Sequence, residues 1–91
     1  MIMRDFERVE ILLNCLLEAE EVFSNKDEIN EVRDFISHGE YGIALDLIVA
    51  TAVEDKRPVP KEWLPIIREL TQAMELESDK YLDRISNLVS K

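Results

Sequence analysis

The sequence predicts an all-α fold, in the form of a compact antiparallel bundle of four to five helices. Three observations support this prediction. The 91 residues include only two glycines and three prolines, the helix-favouring residues Leu, Ile, Glu and Ala are abundant, and apolar residues recur at intervals of three and four. A chain of this length can bury one modest hydrophobic core and is too short for two, so residues 1–91 are expected to form a single helical domain.

The first helix is predicted to run from about Met3 to Phe23. Its buried stripe is expected to consist of side chains at helical spacing, namely Phe6, Val9, Leu13, Leu16 and Phe23. Ser24 and Asp27 resemble an N-cap residue and its partner three positions later, which predicts the start of a second helix. The second helix is expected to turn four apolar side chains inward, namely Ile29, Val32, Phe35 and Ile36.

The stretch between the second and third helices contains both glycines of the chain. Gly39 is predicted to adopt the left-handed conformation that closes a helix, and Glu40 is predicted to lie in the first turn of the third helix, where a carboxylate is favoured. The third helix is apolar on most of its sides, which is typical of a central helix. Tyr41 is expected to anchor it in the core, and Gly42 is expected to allow close approach of another helix.

A connector with two prolines, residues 54–63, precedes the fourth helix. Pro60 suits a helix start, whereas Pro65 requires either that the helix begins nearer Leu64 or that its first turns are kinked. The buried stripe of this helix is expected to consist of Trp63, Ile66, Ile67, Leu70 and Met74. A short last helix is predicted from Ser78 onward, with inward side chains Tyr81, Leu82, Ile85, Leu88 and Val89.

Residues that could support catalysis or bind a metal are few. Cys15 and His38 are the only candidate nucleophile and base, and we interpret Cys15 as a small core residue and His38 as a cation near a helix C-terminus. One histidine cannot supply the two Glu-x-x-His motifs of a carboxylate-bridged iron site. The acid pairs of the helices lack a calcium-binding loop, and no glycine-rich phosphate loop exists. The sequence therefore predicts no enzyme and no catalytic, cofactor or metal site.

The sequence also predicts a soluble, cytoplasmic protein. A single cysteine excludes an internal disulfide and fits a reducing compartment. The N-terminus lacks the uninterrupted apolar segment of a signal peptide. The longest nearly apolar run spans residues 41–53, and this run is too short to cross a hydrocarbon core about 30 Å thick.

The net charge of −9 is unevenly distributed along the chain. Residues 1–55 contain 14 acidic and 4 basic residues, whereas residues 56–91 contain 6 acidic and 7 basic residues. An acidic surface repels nucleic acid and anionic membranes and attracts a basic partner, although acidity that serves only solubility is an alternative. The candidate partner-binding residues are Glu28, Glu31, Asp34, Glu40, Asp46, Glu54 and Asp55.

A longer segment carries a family resemblance. It reads INEVRDFISHGEYGIALDLIVATAVEDKRPVPKEW and is followed by a helix that ends in AMEL. Its helix V-x-x-F-I, its hinge H-G-E-Y-G-x-A and its proline-bearing connector resemble those of MafI-like immunity proteins, over residues 29–76. These are small cytoplasmic helical proteins encoded beside polymorphic or contact-dependent bacterial toxins. The resemblance implies that the chain binds and neutralises the C-terminal domain of one cognate toxin, and many such toxins are nucleases with basic clefts.

Two other interpretations are consistent with the sequence. A helical adaptor or regulatory subunit could offer a groove to a basic partner helix. A mimic of nucleic acid would need carboxylates at regular, phosphate-like spacing, which Lys26 and Arg33 interrupt. The identity of the toxin, its activity and the contacting residues are left open, and an exposed apolar strip on the first or last helix leaves a homodimer open as well.

Overall fold

The computed structural model describes residues 5–23 and 25–89 of the chain. This described part contains five α-helices and no strand, which confirms the predicted all-α bundle. The helices are α1 (Asp5–Leu17), α2 (Lys26–Ser37), α3 (Tyr41–Asp55), α4 (Trp63–Ala73) and α5 (Ser78–Ile85), with short 3-10 helices at Glu20–Val22 and Ser86–Leu88. One continuous hydrophobic core joins all five helices.

The first helix is shorter than predicted, because α1 ends at Leu17 and a 3-10 helix follows. The reason is the position of Val22. A continuous helix to Phe23 would turn Val22 toward solvent, on the side of Ile11, because each residue advances the helix by about 100°. The break lets both Val22 and Phe23 be buried. Phe6 was expected in the core but is 46% exposed, since it lies in the first turn of α1 and its neighbours cover it incompletely.

The second helix begins with a different cap from the one predicted. Its N-cap residue is Asn25, whose side-chain oxygen accepts a hydrogen bond of 3.1 Å from the backbone N–H of Glu28. Asparagine is among the best N-cap residues because its oxygen satisfies one of the free N–H groups of the first turn. The predicted cap, Ser24, lies outside the described residues.

The turn after α2 is a Schellman motif, as the placement of Gly39 predicts. Gly39 has φ +76°, and its N–H donates to the carbonyl of Ile36 over 3.0 Å. The N–H of Glu40 donates to the carbonyl of Phe35 over 2.9 Å. These two bonds satisfy carbonyls that a helix end would otherwise leave unpaired. Glu40 is the N-cap residue of α3 rather than a member of its first turn, one position from its predicted place.

The prediction that Gly42 permits a close helix contact is wrong. A Cβ atom built at this residue meets no atom of the described residues within 4 Å, so no neighbouring helix needs the glycine. The two glycines therefore have different roles, because only Gly39 adopts a backbone conformation that L-residues avoid.

Alanine substitutions are expected to separate these roles. Gly39→Ala should lower the free energy of unfolding by about 1 kcal/mol, since the left-handed conformation strains a residue with a Cβ atom. Gly42→Ala should raise it by about 0.5 kcal/mol, since it restricts the unfolded chain and meets no obstacle in the helix. Urea denaturation measures both, and a loss of stability in Gly42→Ala would contradict the open environment described for that residue.

The third helix is central, as predicted, since α3 contacts α1, α2 and α5. Its buried residues are Ala44, Leu45, Ile48, Val49, Thr51 and Ala52. The fourth helix begins at Trp63, close to the predicted start near Leu64, so Pro65 occupies its third position. Pro65 is tolerated there because the first four N–H groups of a helix have no intrahelical acceptor.

The last helix is shorter than predicted. It ends at Ile85, and Val89 lies beyond it in an isolated parallel β-bridge with Val59 of the connector. The N–H of Val59 donates to the carbonyl of Leu88 over 2.8 Å. The connector between α3 and α4 is thereby attached to the segment after α5, and Val59 is fully buried.

Candidate functional site

The candidate residues lie on α2 and α3, which form a helical hairpin. We call residues 25–55 the acidic hairpin. Its sequence contains eight acidic and two basic residues. A turn of three residues joins the helices, and α2 packs against α3, so the two helices run antiparallel. All the hairpin carboxylates except that of Glu28, which is half-buried, belong to exposed residues.

The outward face of α2 carries three carboxylates in line. Asp27, Glu31 and Asp34 are spaced by four and three residues, so they share one side of the helix, and all three are exposed. The structure therefore places Glu31 and Asp34 together, as the hypothesis of a partner-binding face requires. Glu28 lies toward the flank of the helix that also holds Phe35.

His38 lies at the C-terminal end of α2, where the sequence predicts a favourable cation. Its Nδ1 lies 2.7 Å from the backbone carbonyl oxygen of Asp34 and 3.8 Å from the carboxylate of the same residue. The hydrogen bond to that carbonyl, and then the Asp34 charge, raise the pKa of His38 above its ordinary value. The cationic form is favoured at this helix end, where the backbone carbonyls carry partial negative charge.

The outer side of α3 carries an apolar strip, in line with the prediction that this helix is apolar on most of its sides. We call Ile43, Leu47 and Ala50 the outer strip. They are spaced by four and three residues on the side of α3 away from its buried residues. Ile43 is 49% exposed and Ala50 is half-buried, whereas Leu47 is half-buried and also packs against the core. Glu54 continues the same line. In the sequence, the outer strip corresponds to a second apolar stripe on a helix whose first apolar stripe faces the core.

Asp46, a candidate partner contact, also has an internal structural role. Its Oδ1 accepts a hydrogen bond of 2.6 Å from the hydroxyl of Tyr81 on α5. Burial and this bond raise the pKa of Tyr81 to about 12. A similar bond of 2.6 Å joins the Tyr41 hydroxyl to Oε2 of Glu10 on α1. Tyr41 thus anchors α3 at its N-terminal end, although it is half-buried and its hydroxyl reaches a carboxylate.

Because of the Tyr81 hydrogen bond, the free energy of unfolding should decrease as the pH rises through the alkaline range. The pKa of Tyr81 rises from 10.0 to about 12 in the folded protein, so its contribution is complete below pH 10 and is lost as the pH rises toward 12. Tyr81→Phe should lower the free energy of unfolding at neutral pH by about 1 kcal/mol, since one hydrogen bond is removed. The same variant should also reduce the decline in the free energy of unfolding between pH 10 and 12.

Urea denaturation at several pH values measures this effect. Tyr41→Phe is the matched control, because the pKa of Tyr41 is also raised by its bond to Glu10. In Tyr81→Phe, the decline in stability that remains at alkaline pH should come from Tyr41. An unchanged slope in Tyr81→Phe would contradict the assignment.

The remaining candidates lie at the two ends of α3. Glu40 is exposed at its N-terminal end, where the helix dipole favours a carboxylate. Glu54 and Asp55 are exposed in its last turn, where the same dipole disfavours them. The 15 residues of α3 separate these ends by about 20 Å. The candidates therefore line an extended face and do not form one compact cluster.

The shortest ion pair among the described residues lies outside the acidic hairpin. Nε of Arg8 lies 2.6 Å from the Glu69 carboxylate, and a second guanidinium nitrogen lies 3.1 Å from it, which joins α1 to α4. This pairing lowers the pKa of Glu69. Within the hairpin, Asp55 lies 3.7 Å from Nε of Arg57 in the connector. The outward carboxylates of α2 have no such guanidinium beside them among the described residues.

Cys15, expected in the core, is half-buried on the flank of α1. Within residues 5–23 and 25–89, no group of three or more His, Cys, Asp or Glu side chains is arranged to hold a metal ion. None of the helices described there combines the length and apolar content needed to cross a membrane.

Comparisons of the chain with family models, with curated proteins and with solved structures found no match.

Proposed function

We propose that this chain is an immunity protein that binds and neutralises the C-terminal domain of a cognate bacterial toxin, of the polymorphic or contact-dependent kind, inside the cell that makes it. The observation that carries the proposal is the acidic hairpin, which has eight acidic and two basic residues, with seven of the eight acidic residues exposed. The resemblance to MafI-like immunity proteins supports the proposal, because it covers this hairpin from residue 29 onward and the connector after it.

One of the hairpin carboxylates occupies a position that the fold itself disfavours. Glu54 lies in the last turn of α3, whereas the carboxylates of Asp34 and Asp55, in the last turns of α2 and α3, lie within 4 Å of His38 and Arg57. The C-terminal turn of a helix carries partial negative charge, so a carboxylate there reduces helix stability by about 0.3–1 kcal/mol at the surface. A positively charged partner would remove this penalty, which is why we assign Glu54 to binding.

The proposed toxin domain is a nuclease. Its substrate-binding cleft must be basic, because phosphate contacts supply most of the affinity for nucleic acid. Glu31 and Asp34 would meet the same Arg and Lys groups through charge-assisted hydrogen bonds. The outer strip of α3 would supply the apolar centre that stable protein interfaces have, with carboxylates as its rim. Long-range attraction would speed association.

A helical adaptor is the second candidate, and the outer strip is the observation that favours it. Ile43, Leu47 and Ala50 form a line on α3 with Asp46 and Glu54 beside and beyond it. A basic amphipathic helix could lay its apolar side along this line and its cations against the two carboxylates. Such a partner need not be a toxin.

Co-expression tests the proposal. The C-terminal domain encoded by the neighbouring gene is expressed with and without this chain, and cell survival and co-purification are measured. The proposed function requires that the chain restores growth and co-purifies with the domain. Co-purification without a growth defect to relieve would favour the adaptor. A toxic neighbouring domain that this chain neither binds nor neutralises would refute the proposed pairing.

A further inference from the structure

A cleft lies between the C-terminal end of α1 and the flank of α2. Its volume is about 170 Å³. Its lining residues come from the end of α1, the following 3-10 helix and α2, namely Leu17, Glu20, Lys26, Ile29, Asn30 and Arg33. Leu17 and Ile29 are 1% and 6% exposed, so they form an apolar floor, and the four polar side chains form the rim.

The cleft gathers the only lysine and the only arginine that the sequence contains between positions 9 and 55. Lys26 and Arg33 are seven residues apart on α2, so they lie two turns apart on one side of the helix. Both are exposed, and neither makes an ion pair or a side-chain hydrogen bond with a residue that the structure describes. Two cations therefore face an apolar floor in the most acidic part of the chain.

We infer that this cleft binds an apolar residue that carries a free carboxylate, as at the C-terminal end of a polypeptide. An aliphatic side chain fits the floor of Leu17 and Ile29. The guanidinium of Arg33 can hold a carboxylate through two parallel hydrogen bonds, and the Lys26 ammonium adds a second positive charge. A volume of about 170 Å³ suits a single side chain with its terminal group.

Glu20 decides which anion the cleft accepts. With Lys26, Arg33 and Glu20 on the rim, the lining carries a net charge of +1. This charge neutralises a monoanionic carboxylate, whereas the dianionic form of phosphate would leave one negative charge uncompensated against a partly apolar surface, which is costly. The site lies on the flank of α2 that faces α1, and its occupancy does not depend on the proposed toxin. It can therefore be tested with a small probe.

The test is an NMR titration of the ¹⁵N-labelled full chain with N-acetyl-leucine. We expect saturable shifts confined to residues near the cleft, with a Kd of about 1–10 mM, as suits one charged contact and one side chain. N-acetyl-leucinamide, which lacks the charge, should bind at least about tenfold more weakly, and inorganic phosphate should cause no saturable shift there. Arg33→Gln should weaken binding about tenfold, while Arg84→Gln on α5 should leave it unchanged.

Several outcomes would overturn the inference. Equal binding of the acid and the amide would show that the apolar floor alone is responsible. Saturable binding of phosphate would show that the cleft is a general anion site. Unaltered binding of N-acetyl-leucine by Arg33→Gln would show that the Arg33 guanidinium does not contact the ligand. A pentapeptide that ends in leucine should bind more tightly than N-acetyl-leucine and lose affinity when amidated at its C-terminus. Equal or weaker peptide binding would refute a polypeptide end as the ligand.

Discussion

Replacement of Ile48 with alanine is expected to lower the free energy of unfolding by about 3 kcal/mol. Ile48 is fully buried on α3, the helix that contacts α1, α2 and α5. Truncation removes apolar contacts and leaves a cavity that a close-packed centre cannot refill, and such losses range over about 2–5 kcal/mol. In a protein of this size the loss is a large share of a total stability of roughly 5–10 kcal/mol.

The matched control is Ile43→Ala on the same helix. Ile43 is 49% exposed, so its truncation should change the free energy of unfolding by only about 0.5 kcal/mol. Urea denaturation followed by the fluorescence of Trp63 measures both variants, because this single tryptophan is 1% exposed and packs against Phe23. Similar losses in the two variants would contradict the orientation of α3 described above.

Charge reversal on α2 is expected to have the largest effect on partner binding. The double variant Glu31→Lys with Asp34→Lys should weaken the complex with the proposed toxin domain by at least about 100-fold, since two attractive contacts become repulsive and like charges at an interface cost several kcal/mol. The fold should tolerate the change, because both residues are exposed and a cation in the last turn of α2 is favourable. Isothermal titration calorimetry measures the binding.

The control for this variant is Glu75→Lys with Glu77→Lys. These residues are exposed between α4 and α5, outside the acidic hairpin, and their reversal changes the net charge of the chain by the same amount. A general electrostatic attraction would weaken binding equally in both double variants, which would exclude α2 as the contact face. Binding through α2 should also weaken as salt is raised, since exposed charges are screened.

Features that depend on neighbouring residues in the sequence could be predicted. Apolar spacing predicts most of the buried stripe of α4, since Trp63, Ile67 and Leu70 are buried while Ile66 and Met74 are half-buried. Gly39 identifies the turn because few residues adopt its conformation. The end of α1 at Leu17 could not be predicted in the same way. The pattern from Leu13 to Phe23 fits a helix almost throughout, and only the burial of Val22 by other helices decides against it.

The residues of the candidate site could be predicted from the sequence, but their arrangement in space could be predicted only in part. The exposure of Glu31 and Asp34 follows from their place on an amphipathic helix. The hydrogen bond between Asp46 and Tyr81 joins residues 35 positions apart, and no local pattern specifies such a pair. The cleft likewise depends on how the end of α1 lies against α2, so the shared position of Lys26 and Arg33 became visible only in the fold.

The two tyrosine–carboxylate bonds have a consequence for molecular recognition. Tyr41 ties α3 to α1, and Tyr81 ties it to α5, so the central helix is held from two directions. Rolling of α3 about its own axis would break one or both bonds. The outer strip is consequently preorganised, and a protein that docks on it loses little conformational entropy from this side of the contact.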